Sequence, residues 1–555
     1  TYDDLAFMGI NPQTITIEKI RLFGNGSGML PEQNSTPRTD DLREVAIEMH
    51  DGNDGRFDPG DYFLFYGESS DRWAFEKQTR FFSHQRNISS DTTYYFLNMD
   101  QEVGRRVVWF PLMNLTPNYV SAYFDHPLFH ESDLFNPIRS GQQWYGELFD
   151  IHNNSLDIPF YIPNIDSTAP VRIKTSAVGK SSAISWFIIS RHGIKADSLK
   201  IEPTDPKEYT RAGKAKIKLT TLAPGGADQT LNITYPLPTP NTSGWLDYIE
   251  MTTRCHLIWN TPRMNFRDVI SYGPDRIQTF LIRQANPQIK VWDVTNPTSI
   301  LNLELRFAGD TATFIRPTDS LREFIAFDGS SLHQPRFLGE VPNQNLHSHT
   351  PATLLIVTHP LFLPQAERLA TYHREKTGMT VRVTDVLQVF NEFACGQPDP
   401  TAIRDYVRML HHRGSGENKL KYLLLFGDGS YDPKNRVPGN NNLVPTFQSA
   451  ESLNSTTTFV TDDYFGIMAP ASGADANGVI EIGIGRFPVS TLAEATSMVD
   501  KIISYSGTQK PVRSDWRNVI TFLADDEDRN LHLNQAEEMV QIVKAKYPVF
   551  NISKI

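Results

Sequence analysis

The feature that most constrains this chain is a change of pattern near residue 346. Before it, apolar residues come in short runs broken by turn residues. Beyond it, continuous apolar runs alternate with amphipathic ones. In order they are TLLIVT (353–358), PLFLPQAERLATYHREKTG, TVRVTDV, AIRDYVRMLHHRG, YLLLFGDG, VIEIGIGRFP, LAEATSMVDKIISY, NVITFLADDED and HLNQAEEMVQIVKAKY, before a last strand begins in VFNISKI. A strand that is apolar throughout is buried on both faces. Strands alternating with helices build a parallel sheet with helices on both sides. Residues 346–555 are therefore expected to form an α/β unit. Local signals agree. Pro364 and Gly378 bracket one helix, Asp399-Pro400 opens another that Gly414 closes, and Thr491 with Glu494 forms a capping box.

The rest of the chain predicts β-structure. Residues 1–165 carry the strand patterns TITIEKIRLFG, DYFLFYG, TYYFLNM and RRVVWF. Residues 166–345 carry seven more at regular spacing: PVRIKTSAV, AISWFIIS, KAKIKLTTL, QTLNITYPL, DYIEMTTRCHLIW, QIKVWDV and REFIAF, the pattern of a sandwich. The acids Asp51, Asp54, Asp58 and Asp61 in DGNDGRFDPGD suggest a calcium loop. Arg56, however, stands where an EF-hand needs glycine, so a turn rich in Asp and Gly is preferred. Cys255-His256 is tempting as a dyad, but neighbours on a strand face opposite ways, which makes Cys255 a core residue.

At 555 residues the chain is too long for one core, and three or more domains are expected. No segment approaches the roughly 20 apolar residues of a membrane helix. A net charge of -11 argues against nucleic-acid binding. Two cysteines make neither a disulfide scaffold nor a zinc site, and no metal or cofactor is expected. The chain opens on TYDDLAF without Met or signal peptide and stops at Ile555 just as a strand begins, so both ends look cut from something longer.

In an open α/β sheet, sites form outside the carboxyl ends of the strands. Three acidic clusters fall there: Asp428 after YLLLF, Asp462-Asp463 in FVTDDYFG, and Asp525-Asp526 after VITFLA. Asp428 and Asp525 close central-looking strands and could meet at one crevice; the alternative is that the acids cap loops and helices. FGDGSYD is not a G-x-G-x-x-G turn, and no P-loop occurs. A receiver domain would place an acid pair after TLLIVT, where there is none. Cys395 in NEFACGQPDP sits at no strand end and has no base placed to activate it. His411-His412 is expected on a solvated helix end.

Read together, TLLIVTHPLFLPQAERLATYHREKTGMTV, YLLLFGDGSYD, TDDYFGIM, IEIGIGRFP and NVITFLADDED resemble the gingipain-type cysteine peptidases, whose fold is caspase-like. IRLFGNGSGMLPE, DGRFDPGDYFLFYGES, WDVTNP, PNQNLH, PDPTAIRDYVRML and TDDYFG are similar to one branch, the sortases of the type IX secretion system. The resemblance implies a protein of the outer-membrane surface, exported by a signal peptide not present here. It would cleave C-terminal sorting domains from secreted cargo and join the new carboxyl end to anionic lipopolysaccharide through a Cys thioester. A PorV-like outer-membrane β-barrel would be its docking partner, and no cofactor is implied. The family's catalytic His lies in a Gly-His-Gly motif, with the Cys a strand later. Neither motif occurs here, and both are expected after Ile555. The acid that orients the His aligns with Asp525, a role Asp526 or Glu527 could share. A specificity acid of Arg-cleaving members aligns near His532, so arginine selectivity is not implied. The competing expectation is a noncatalytic surface scaffold that binds a barrel partner or cargo.

Overall fold

The computed structural model of the chain describes residues 1–52, 54–99, 102–205, 211–506 and 514–555. A β-rich body precedes a parallel α/β sheet.

The first part is a three-stranded antiparallel sheet, Glu44–Val45, Arg21–Phe23 and Phe96–Asn98, with two hairpins beside it, Ile47–His50/Tyr62–Phe65 and Arg72–Glu76/Phe81–Gln85. The strand expected over TITIEK is instead two 3-10 turns, Pro12–Thr14 and Ile17–Lys19. The reason is spacing. Ile17 and Ile20 both enter a core with Leu5, Leu22 and Phe57. Three residues apart, they would face opposite sides of a strand, whereas a 3-10 turn puts them on one side. The acid-rich 51–61 segment is the connection of the first hairpin. Its Asn53 lies outside the described residues, Asp54 accepts from Arg56 N at 2.9 Å, and Asp61 accepts from Asp58 N at 2.6 Å.

Where one sandwich was expected, there are two. The first sets Tyr123–Glu131, Ser243–His256, Val171–Lys180 and Lys214–Leu222 against Ser155–Ile158, Leu231–Thr234, Ser185–Arg191 and Ile194–Ile201. The second sets Arg263–Phe266, Phe324–Phe327, Lys290–Asp293, Leu301–Leu303 and Val108–Phe110 against Arg306–Ala308, Thr311–Pro317, Ile277–Ile282 and Tyr119–Ser121. One core runs through both, from Phe124 to Ala326, and residue 165 lies within this body, where Ile165 bridges to Cys255. Cys255 is part of that core, and burial pushes its thiol up to about 12.

In the α/β unit four parallel strands lie in the order Val381–Asp385, Leu354–Thr358, Tyr422–Phe426, Gly483–Phe487. Helices Leu363–Lys376 and Leu492–Tyr505 cover one face, packing Ala366, Leu369, Ala495 and Val499 with Leu354, Ile356 and Phe426. Helices Val386–Phe393 and Pro400–Arg413 cover the other, packing Val389, Phe390, Ile403 and Val407 with Leu355, Val357 and Leu425. Successive residues of one strand thus feed opposite cores, which is why the strand is apolar throughout. Strands Val519–Phe522 and Asn551–Lys554 pair in parallel, but as a separate two-stranded sheet.

The β-rich body grips the α/β unit. Leu30 N donates to the buried Asp399, the Asn34 amide donates to the carbonyls of Ile467 and Ala469, and Arg38 pairs with Asp405 at 2.9 Å.

Candidate active site

The chain order places a topological switch between Leu354–Thr358 and Tyr422–Phe426, so the crevice lies outside their carboxyl ends. Strand Tyr422–Phe426 ends there in Gly427-Asp428-Gly429. Gly427 has φ +152, and a Cβ on it would meet Val444 Cγ2 at 2.7 Å, so the loop needs glycine at this point. Asp428 Oδ1 accepts from Gly429 N at 3.0 Å, and Oδ2 accepts from Ser490 Oγ at 3.2 Å, just before helix Leu492–Tyr505. Its carbonyl accepts from Leu443 N and Val444 N. Asp428 therefore ties a returning segment to the sheet edge.

Arg486, which sequence reasoning passed over inside IEIGIGRFP, organises this region. Its Nε and Nη2 make a two-pronged pair with Asp462 at 2.7 and 2.8 Å. Its remaining donors go to the carbonyls of Gly427, Val444 and Pro445. Such a planar fork holds a carboxylate and several carbonyls in fixed register. Asp463 is exposed and opens the 3-10 turn Asp463–Gly466, which buries Tyr464 and Phe465.

The YDPKNR segment also serves architecture. Asp432 is fully buried, accepting from Val437 N at 2.7 Å and from Arg436 at 3.2 Å. Arg436 reaches Asp133 at 3.0 Å and lies over the Trp144 ring, while Lys434 reaches Asp91 at 2.6 Å. The loop after the third strand is thus a docking strap onto the β-rich body.

A second pair at strand ends escaped the sequence reading. Thr358 and Asp385 are register partners, so His359 and Asp385 stand side by side. Burial lowers the His359 pKa, against the opposing charge of Asp385. Burial raises that of Asp385, which accepts from Leu387 N to cap helix Val386–Phe393. Parallel register was the signal that could have found this pair.

Asp525 and Asp526 are exposed and stand between Val519–Phe522 and helix Glu527–Lys546, on the separate two-stranded sheet. The structure brings Asp428 and Asp462 into one Arg486-held assembly and leaves Asp525 and Asp526 outside it. The helix after them opens with Asp528, Arg529 and Asn530 at φ 52, 60 and 63, a left-handed turn. His532 lies 3.5 Å from Asp528. Cys395 is buried with its Sγ donating to Tyr94 O at 3.2 Å, and burial pushes its thiol up to about 11. Neither cysteine has the depressed pKa of an activated nucleophile. His412 is exposed as expected, but His411 is buried, its ring nitrogens without hydrogen-bond partners and Nε2 4.0 Å from Glu481.

The α/β unit is a doubly wound parallel sheet with its crevice at the carboxyl edge, and residues 347–555, which contain most of it, match the family model of Peptidase family C25. Over most of its length the chain is similar to dimeric latent PorU from Porphyromonas gingivalis, at 28% identity and a TM-score of 0.75. The match covers 88% of this chain and 47% of that one, so the chain spans about half the length of the PorU it matches. Short stretches also match carbohydrate-binding modules. One is CBM36 in complex with calcium and xylotriose, at 10% identity over 22% of this chain and 98% of that one. Another is a family 35 module from Clostridium thermocellum, at 11% identity over 25% of this chain and 98% of that one. Their TM-scores of 0.16 and 0.15 support no common fold for the chain. No curated protein matches the sequence significantly.

Proposed function

We propose that the chain is part of a cell-surface sortase of the type IX secretion system, carrying the β-rich body and the first strands of its peptidase unit. The observation behind this reading is the joint likeness: PorU over 88% of the chain, and Peptidase family C25 over residues 347–555. The substrates are C-terminal sorting domains of secreted cargo. A cysteine thiolate attacks the scissile carbonyl, the amine leaves protonated, and an amine of anionic lipopolysaccharide resolves the thioester. Cys255 and Cys395 are both buried and raised in pKa, so neither serves as the nucleophile in this reading, which takes it from outside these 555 residues. Asp525 orients the base, and a PorV-like β-barrel holds the protein at the outer-membrane surface, reached by way of a signal peptide.

The test is cargo processing in cells. Deleting residues 347–555 from the gene should leave secreted cargo with intact C-terminal domains, read by mass spectrometry of the cell-surface fraction. Asp525→Asn should do so partially. Normal processing after the deletion would overturn the reading. The two buried thiols also favour a second reading, a noncatalytic scaffold. It predicts that residues 1–345, expressed in cells lacking the full gene, both capture the barrel partner and restore cargo display.

A further inference from the structure

Where the β-rich body meets the α/β unit, three metal-ligating side chains from three distant segments converge. Asp41 comes from the N-terminal wrap, His347 from the 3-10 turn Leu346–Ser348, and Glu392 from helix Val386–Phe393. They offer ligand atoms that all lie within 4.8 Å of one another. We propose that Asp41, His347 and Glu392 bind a divalent transition-metal cation of the zinc class that fastens the N-terminal body to the peptidase unit.

The geometry favours one mode of ligation. His347 Nδ1 is 2.5 Å from Glu392 Oε1 and 3.8 Å from Asp41 Oδ2. Ligands about 2.1 Å from a tetrahedral ion lie about 3.4 Å apart, so ligation needs the short Nδ1–Oε1 contact to open by about 0.9 Å and the exposed Asp41 to close in. Glu392 is buried and preset: its oxygens accept from Leu346 N and His347 N, both at 2.8 Å, and from Gln344 at 3.1 Å. The imidazole is supported as well, stacked on Phe393 with centroids 4.7 Å apart. On its far side Nε2 is buried without a hydrogen-bond partner, with Asp40 Oδ1 3.5 Å away. A metal-bound histidine characteristically donates its other N–H to a carboxylate, and Asp40 is placed to receive it. The donor set of one imidazole nitrogen and two carboxylates suits zinc better than calcium or magnesium, which take oxygen only. Binding replaces the Nδ1–Glu392 hydrogen bond, and the proton in it leaves to solvent.

The competing arrangement is a protonated His347 paired with its carboxylates. Burial works against the charged ring, but the Glu392 hydrogen bond and the Asp40 and Asp41 charges outweigh it and raise the pKa. Zinc titrated into the metal-stripped full chain separates the two. The expected result is about one zinc retained per chain after desalting, with a raised Tm. Affinity should fall more than about tenfold in Asp41→Asn and His347→Asn and about tenfold in Asp40→Asn. Asp41 is exposed, so Asp41→Asn keeps the test valid if the His347 variant misfolds. No retained zinc, or retention unchanged in Asp41→Asn, would overturn the site. So would calcium raising Tm as much as zinc.

Discussion

Two strand–helix–strand regions of this molecule share one sequence grammar and differ in packing. In the first, strands Leu354–Thr358 and Tyr422–Phe426 lie between two helical layers, and Leu355, Ile356, Val357, Leu425 and Phe426 are fully buried. In the second, among the described residues, strands Val519–Phe522 and Asn551–Lys554 pair only with each other, and helix Glu527–Lys546 buries only Val540. Trp516, Leu531, Met539 and Ile542 are about half exposed. The contrast shows that periodicity makes an element, whereas stability comes from the layers pressed against it.

The largest expected effect comes from a cavity in the first region. Leu425→Ala should cost about 3 kcal/mol in urea unfolding, while Ile542→Ala, on the exposed helix, should cost less than about 0.5 kcal/mol. Equal losses would erase the distinction. Next comes the polar clamp. Arg486→Met removes the partner of Asp462 and of three carbonyls, and about 2 kcal/mol should be lost. The counterpart pair, Lys554 with Glu537, is exposed, and Lys554→Ala should leave the unfolding curve unchanged.

pH should separate the regions by sign. Asp399 is buried, and burial raises its pKa above the ordinary 3.8, against hydrogen bonds from Thr401 and Leu30. A raised carboxyl favours the protonated folded state. Its contribution is therefore complete below 3.8 and is lost as pH rises through the folded pKa. Asp399→Asn should flatten that decline in a series of Tm against pH. Glu537 is held low by its hydrogen bonds to Lys554 and Gln541, so its contribution is present above 4.5 and fades as pH falls. Glu537→Gln should change Tm little, and only toward acid pH. The smallest perturbation is no mutation at all: amides of Val519–Phe522 should exchange with deuterium faster than those of Leu354–Thr358.

Much of the α/β unit was legible. The unbroken apolar runs marked strands buried on both faces, and Asp399 and Thr491 cap the helices they were expected to cap. Pairing across the chain was not legible. Asp462 lies 24 residues before Arg486, and Arg436 reaches Asp133, 303 residues before it. His411 reads as solvated because basic residues stand near it in sequence, yet the folded protein buries the ring, with Glu481 4.0 Å away.

By itself the sequence determined the change of architecture near residue 346, the parallel sheet, the confinement of Cys255 to a core, and the likeness to gingipain-type peptidases. These rest on local periodicity and short motifs, which the chain carries wherever it folds. Only the tertiary structure decided what the strand-end acids do. It gave Asp428 a loop to tie and Asp462 a guanidinium, and left Asp525 on a separate sheet. It also gathered Asp41, His347 and Glu392 at one junction. A carboxylate's role depends on the charge, donor or solvent that meets it, and those neighbours come from segments far away along the chain.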